Sequence, residues 1–303
     1  MPVVQRDRWA EWLLERRFGG DAEVMERMLR ELEPVRDRVL DGARMREGDV
    51  VLDVGAGDGL IAFGALDRVG PGGSVVFSDI SLDLLDRSRE LADELGVAAR
   101  CGFVLASASD LEPIADESVD VVTTRSVLIY LPFEEKREAF ATFFRVLRPG
   151  GRVSGFEPIN AFGCWDPEDG SEFMGLDTRG VADLTLKVKA AFEGSRADDR
   201  TLVDFDERDL LRFAEEAGFS RVELAYEARI AHGAAMTWAD DGPPWETLLR
   251  TSGNPLAPTF GEVIDGALDA DERARFVGHV RPRYEAREAT TRSAVAYLTA
   301  LKA

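Results

Sequence analysis

Apolar residues in the first 47 positions recur at helical spacing. Trp9, Trp12, Leu13 and Phe18 make one stripe, and Val24, Met25, Met28, Leu29 and Leu32 a second. Gly19-Gly20-Asp21 stands between them, a break followed by a residue able to cap the next helix. From Gly48 the pattern changes. Val50-Val51-Leu52-Asp53-Val54 is a short apolar run ending in glycines, as a strand buried on both faces should be. A helix is predicted over 60–69 and a strand over 74–78. Ser81 is placed to cap a helix that Gly96 closes, and strands follow at 103–105 and 119–123. Phe140, Phe143, Phe144 and Leu147 lie at i, i+3, i+4 and i+7, so a helix runs over about 134–147. Pro149-Gly150-Gly151 stops it, and 152–157 is a fifth strand.

Strands alternating with helices at this spacing predict right-handed βαβ units and a parallel sheet, with ligands held beyond the carboxyl ends of the strands. The alternation lapses after Pro158. Asp206 is placed to cap a further helix ended by Gly218, residues 222–230 alternate as a sixth strand, and 293–301 fit a last strand or a short helix. The chain therefore divides into a helical cap (1–47), a sheet core (48–158), an insertion or lid (159–203), a return to the core (204–232), a helical insertion suited to cover a substrate (233–290) and a last core strand (291–303).

The 303 residues, 45% hydrophobic, suffice for one large domain or one domain with a lid. With 37 basic against 57 acidic residues the net charge is −20, which repels a phosphate backbone and argues against a nucleic-acid partner. Arg148 and Arg152 flank a turn and Arg281 and Arg283 a proline, spacings too ordinary for a basic patch. Two cysteines, Cys101 and Cys164, are too few for a disulfide framework or a thiolate metal cage, so no metal is expected. The first residues lack the apolar core of a signal peptide, and no apolar run approaches the ~20 residues that span a bilayer. No membrane partner and a cytoplasmic location are expected.

The strongest chemical signal is Val51-Leu52-Asp53-Val54-Gly55-Ala56-Gly57-Asp58-Gly59. Glycines at 55, 57 and 59 let the backbone turn sharply from strand to helix and approach a ligand closely. A dinucleotide fingerprint would need its third glycine at position 60, which is Leu60, and a P-loop's Gly-Lys-Ser/Thr is absent. Asp79 ends the second strand, where a carboxylate can accept both hydroxyls of a ribose.

Asp53-Val54-Gly55-Ala56-Gly57-Asp58-Gly59, Asp79, Ser118-Val119-Asp120-Val121-Val122 and Leu147-Arg148-Pro149-Gly150-Gly151 resemble, in order and spacing, the motifs of class I S-adenosylmethionine-dependent methyltransferases. The flavour is similar to the group that includes ubiquinone/menaquinone-biosynthesis and arsenite methyltransferases. The resemblance covers residues 48–158 well and 204–230 moderately. It implies a Rossmann-like α/β sheet with N-terminal helices and helical lid insertions. It also implies S-adenosylmethionine as cofactor, leaving as S-adenosylhomocysteine. Carried over residue by residue, Gly55, Ala56 and Gly57 pass under the methionine part, with Asp53 near its amino group, and Gly59 completes the cofactor-binding turn. Asp79 binds the ribose and Ile80 lies against the adenine. The family often has an aspartate where Ser107 aligns, so Ser107, Ser109 or a backbone carbonyl of the stretch that includes Ala108 must substitute in the adenine contact. Arg125 lies beside the methionine moiety.

Methyl transfer is an in-line displacement at a sulfonium methyl, so the protein mainly supplies proximity, alignment and exclusion of water. A general base is needed only where the nucleophile holds a proton it cannot lose unaided. Candidates for that role or for a substrate contact are Glu157, at the end of the fifth strand, and His232, after the sixth. Each has a plain structural alternative. Tyr130 is placed to line an acceptor pocket or to pack in the core, and His279 is expected to be structural. Trp9, Trp12, Trp165, Trp238 and Trp245 lie outside the sheet motifs and are suited either to a dry lid or to the small core of their own helices. Arsenite chemistry calls for several thiolates and is disfavoured. The leading expectation is methyl transfer to an O, N or C nucleophile of a small molecule. A nicotinamide-dependent oxidoreductase and a non-methylating binder of the same cofactor are the alternatives, and a homodimer is left open.

Overall fold

The computed structural model describes residues 6–163, 167–194, 200–233 and 242–303. Two N-terminal helices come first, α1 (Arg8–Leu14) and α2 (Ala22–Gly42). Asp7 caps α1 and Asp21 caps α2, each accepting two backbone N–H groups. The core follows as β1 (Val50–Val54), α3 (Leu60–Arg68), β2 (Ser74–Asp79), α4 (Leu82–Glu94), β3 (Cys101–Leu105), β4 (Val119–Arg125), α5 (Phe133–Val146) and β5 (Leu147–Pro158). Next come a two-residue hairpin, β6 (Glu172–Phe173) with β7 (Leu176–Asp177), and α6 (Ala182–Gly194). The chain then returns through α7 (Glu207–Glu216) and β8 (Arg221–His232), adds α8 (Trp245–Leu248), α9 (Phe260–Ala267) and α10 (Ala270–Glu285), and ends in β9 (Thr290–Leu301). Asp206 caps α7 in a reciprocal box with Asp209.

Seven strands form one sheet in the order β3-β2-β1-β4-β5-β9-β8. Strands β1 to β5 pair in parallel, as the alternation predicts. The sheet is not wholly parallel, however. β9 runs antiparallel to both β5 and β8 and is inserted between them. β8 and β9 are joined by a long helical segment, after which the chain runs back in the opposite sense. β9 is a strand rather than a helix: Ala294, Ala296, Leu298 and Ala300 are buried at every second position.

Successive residues of the central strands feed two cores. Leu52 and Val122 pack with Phe140, Phe143 and Phe213 under α5 and α7. Val51 and Val121 pack with Val39, Leu40, Ile61 and Leu66 under α2 and α3. A third cluster lies outside the sheet, where Leu184 and Val188 of α6 meet Trp245, Ile264 and Phe276 of the second insertion. The two insertions are thus one helical layer. Among the described residues no helix is long and apolar enough to cross a membrane.

Candidate functional site

Between β1 and α3 the backbone turns through Gly55, Gly57 and Gly59, all at positive φ. A Cβ on Gly55 would come 2.2 Å from Val127 Cγ2, so both conformation and space demand glycine there. Asp79, at the end of β2, spans two segments: Oδ2 accepts from Gly57 N at 2.8 Å and Oδ1 from Ser81 N at 2.9 Å. Burial raises its pKa above the ordinary value.

These groups open onto a cavity of about 360 Å³ at the carboxyl edge of the parallel strands. Gly55, Gly57, Asp79, Ile80, Ser107, Ala108 and Arg125 line it. Three other expected cofactor contacts lie behind its wall. Asp53 is buried under the turn, accepting from Thr123 Oγ1 at 2.7 Å, and burial lifts its pKa to about 7. Ala56 N–H is committed to Ser78 O at 2.9 Å. Ser109 donates its hydroxyl to Glu135 Oε2 at 3.0 Å and lies 3.0 Å from the hydroxyl of Ser107, without itself lining the cavity. Gly59 begins α3 and shapes the turn without lining the cavity.

Neither expected catalytic residue lines the cavity. Glu157 is buried and holds the turn after β4: Oε1 accepts from Val127 N at 2.9 Å and Leu128 N at 3.0 Å, and Oε2 from Ile129 N at 3.2 Å. Burial pushes its pKa up to about 7. It acts as a clamp on the backbone that carries Tyr130. His232 is exposed at the end of the edge strand β8, with Nδ1 2.9 Å from Thr290 Oγ1 of β9, and does not reach the cavity. His279 contacts Asp177 O at 3.1 Å within the helical layer. Cys101 begins β3, half-buried; Cys164, Trp165 and Trp238 lie outside the described residues.

The opposite wall is supplied by the N-terminal helix and the helical layer. Trp9, Trp12 and Leu13 of α1 line the cavity, and Trp9 and Trp12 pack edge-on to Tyr130 at 5.2 and 6.2 Å between ring centroids. Trp12 Nε1 donates to Ser252 O at 2.9 Å, and Ser252 N donates to Arg16 O at 3.0 Å, so the cap is stitched to the segment before α9. Ser81 Oγ donates to Asp7 Oδ2 at 2.6 Å, which ties α1 to the start of α4. Trp245, by contrast, belongs to the helical layer's own core.

Several wall residues escape a reading of motifs, among them Met174, Leu202, Ser252 and Phe260, whose segments carry no motif. Arg17 escapes it as well: it lies beyond α1, in the short 3-10 turn Arg16–Phe18, and belongs to no motif.

Residues 51–151 match the family model described as methyltransferase domain. That stretch is similar to the methyltransferase domains of S-adenosylmethionine-dependent enzymes. The chain is 40% identical over 112 residues to an arsenite methyltransferase of Halobacterium salinarum, covering 37% of this chain and 28% of that protein. It is 37% identical over 121 residues to a ubiquinone/menaquinone biosynthesis C-methyltransferase of Xylella fastidiosa, covering 39% of this chain and 47% of that one. The match thus spans less than half the length of either relative. A putative methyltransferase from Bacillus halodurans shares the fold with a TM-score of 0.50 at 18% identity, over 88% of this chain and 98% of that one. The seven-stranded sheet with its antiparallel β9 is the arrangement typical of these methyltransferases.

Proposed function

We propose that this methyltransferase domain binds S-adenosylmethionine across the glycine turn and Asp79 and methylates a small molecule held under the helical cap. The observation that carries the reading is a single cavity with two kinds of wall. One wall is the turn at Gly55 and Gly57 with Asp79, Ile80, Ser107 and Ala108; the other is apolar and aromatic, from α1 and the helical layer. A polar edge that fits a nucleoside thus joins a dry chamber that fits an acceptor.

The residues suit the cofactor on the structure's own terms. Gly55 and Gly57 present backbone where a side chain would intrude, with Leu13 Cδ2 already 3.2 Å from a Cβ built on Gly57. Asp79 sits at the cavity edge with a carboxylate able to receive ribose hydroxyls. Ile80 is half-exposed beside it, an apolar surface for the base. Arg125, ending β4 next to the turn, supplies a cation for the amino-acid carboxylate. When bound, the cofactor supplies an electrophilic methyl on a sulfonium. The chain's own part is to orient an acceptor against that methyl and to exclude water through Trp9, Trp12 and Tyr130. Neither Glu157 nor His232 faces the chamber, so the acceptor's nucleophile is read as one that needs no carboxylate or imidazole base from either residue.

Calorimetric titration with S-adenosylmethionine and S-adenosylhomocysteine tests the reading. Asp79→Ala should weaken both by about tenfold to a hundredfold, the value of a charge-assisted hydrogen-bonded site. Absence of binding by the unaltered protein would overturn it.

A further inference from the structure

Charge inside the cavity runs opposite to charge on the molecule. The chain carries −20 overall, yet the ionisable side chains on the cavity wall, besides Tyr130, are Asp79 and two arginines, Arg17 and Arg125. Asp79 is engaged by the N–H groups of Gly57 and Ser81. Neither arginine makes an ion pair or a hydrogen bond among the described residues, although most arginines of this acidic chain do. Arg17 instead lies over the ring faces of Trp12 and Phe18, at 5.4 and 5.5 Å. Burial and the neighbouring Arg125 lower its pKa to about 10. Two guanidiniums within each other's field, partly desolvated and with no carboxylate bonded to either among the described residues, repel one another; Asp58 near Arg17 and the buried Asp53 near Arg125 offset part of that repulsion, and an anion between them would offset more.

The cofactor does not supply enough negative charge. S-adenosylmethionine brings one carboxylate but also an ammonium and a sulfonium, so its arrival leaves the cavity more positive than before. Its carboxylate satisfies one arginine. Arg125 is the one built into the sheet beside the turn, whereas Arg17 is carried by the cap together with Trp9, Trp12 and Leu13.

We propose that Arg17 receives a carboxylate carried by the methyl acceptor, so that the substrate is an organic acid with an apolar body. This rests on the reading of the site as an S-adenosylmethionine pocket. A planar guanidinium offers parallel donors that match the two oxygens of a carboxylate. A phosphate dianion would leave more charge uncovered among the indole and aliphatic walls. The arrangement also orders events: the acceptor's acid group docks against the cap, and its body extends between the aromatic rings toward the glycine turn.

The test uses the full chain saturated with S-adenosylhomocysteine and titrated with benzoate and hexanoate against benzamide and hexanamide. The acids should bind at least about tenfold tighter than their amides. Arg17→Gln should erase that preference while leaving S-adenosylhomocysteine affinity within about threefold, and Arg17→Lys should keep part of it. The comparison of acid with amide on the unaltered protein needs no variant to fold. Equal or absent binding of acids and amides would overturn the proposal. So would a loss of about tenfold or more in S-adenosylhomocysteine affinity in Arg17→Gln, which would assign Arg17 to the cofactor's carboxylate. If S-adenosylhomocysteine itself failed to bind the unaltered protein, the cofactor reading would fall and this proposal with it; failure in the acid–amide comparison alone leaves that reading standing.

Discussion

Glu157 shows how a site residue can be legible in position and not in role. Its place at the end of a central strand is plain in the sequence, but the three N–H groups that occupy its oxygens come from a turn thirty residues earlier in the chain. Burial raises its pKa from the ordinary 4.5 to about 7, so the folded protein keeps a proton that the unfolded chain releases. Stability from this group is full below about pH 4.5 and is lost as pH rises through about 7. Glu157→Gln should therefore flatten the fall of melting temperature between about pH 5 and 7, and should cost about 1–3 kcal/mol through the N–H that its amide nitrogen cannot serve. Thermal melts across that range check both, and an unchanged slope would show that Glu157 holds no such proton. The glycine turn and Asp79 were readable because they are local and stereotyped. Arg17 was not, because its meaning depends on Arg125, more than a hundred residues away. Ser109 stands one step back from the cavity, its hydroxyl bonded to Glu135 of α5 and beside that of Ser107, partners that the sequence does not announce.

Among the elements, α1 is the one whose attachment and purpose coincide. It has only seven residues, too short to persist alone, and is held by its cap and by side-chain bonds at both ends. Asp7 does two things at once: Oδ1 caps Trp9 N and Ala10 N, and Oδ2 accepts from Ser81 Oγ. Asp7→Ala should cost about 0.5–2 kcal/mol locally. Because α1 also lays Leu13 against the glycine turn, the variant should release S-adenosylhomocysteine several times faster while far-UV circular dichroism is preserved. Stopped-flow dissociation measures it, and an unchanged rate would remove α1 from the lid. The helices of the core are predicted within a residue or two, since each carries an apolar stripe and two of them, α4 and α7, a side-chain cap. β9 was ambiguous because alanine and leucine are good helix formers. What makes it a strand is the slot between β5 and β8, a tertiary fact that no local preference reports.

At the scale of the molecule, the sheet and the helical layer have separate cores, and both contribute walls to the cavity. Phe276, wholly buried between α6 and α10, belongs to the layer. Phe276→Ala should loosen that layer by about 3–5 kcal/mol and lower acceptor affinity, while cofactor affinity stays near that of the unaltered protein. Paired titrations with S-adenosylhomocysteine and a carboxylate probe check this, and equal losses of both would show one cooperative unit. The relation of the two insertions is only partly legible: residues 159–203 and 233–290 both read as suited to a lid, but nothing in the sequence says that they share one core, which is a matter of packing. β9 carries a last consequence. β8 hydrogen-bonds along one edge only, to β9, and residues 233–289 must be synthesised between the two. On the ribosome β8 therefore waits without a mate, and β5 waits longer still with one side bare. During that interval two adhesive edges are open to chaperones or to other nascent copies, so codon substitutions that slow translation of residues 233–289 should lower the yield of native protein without changing a single amino acid.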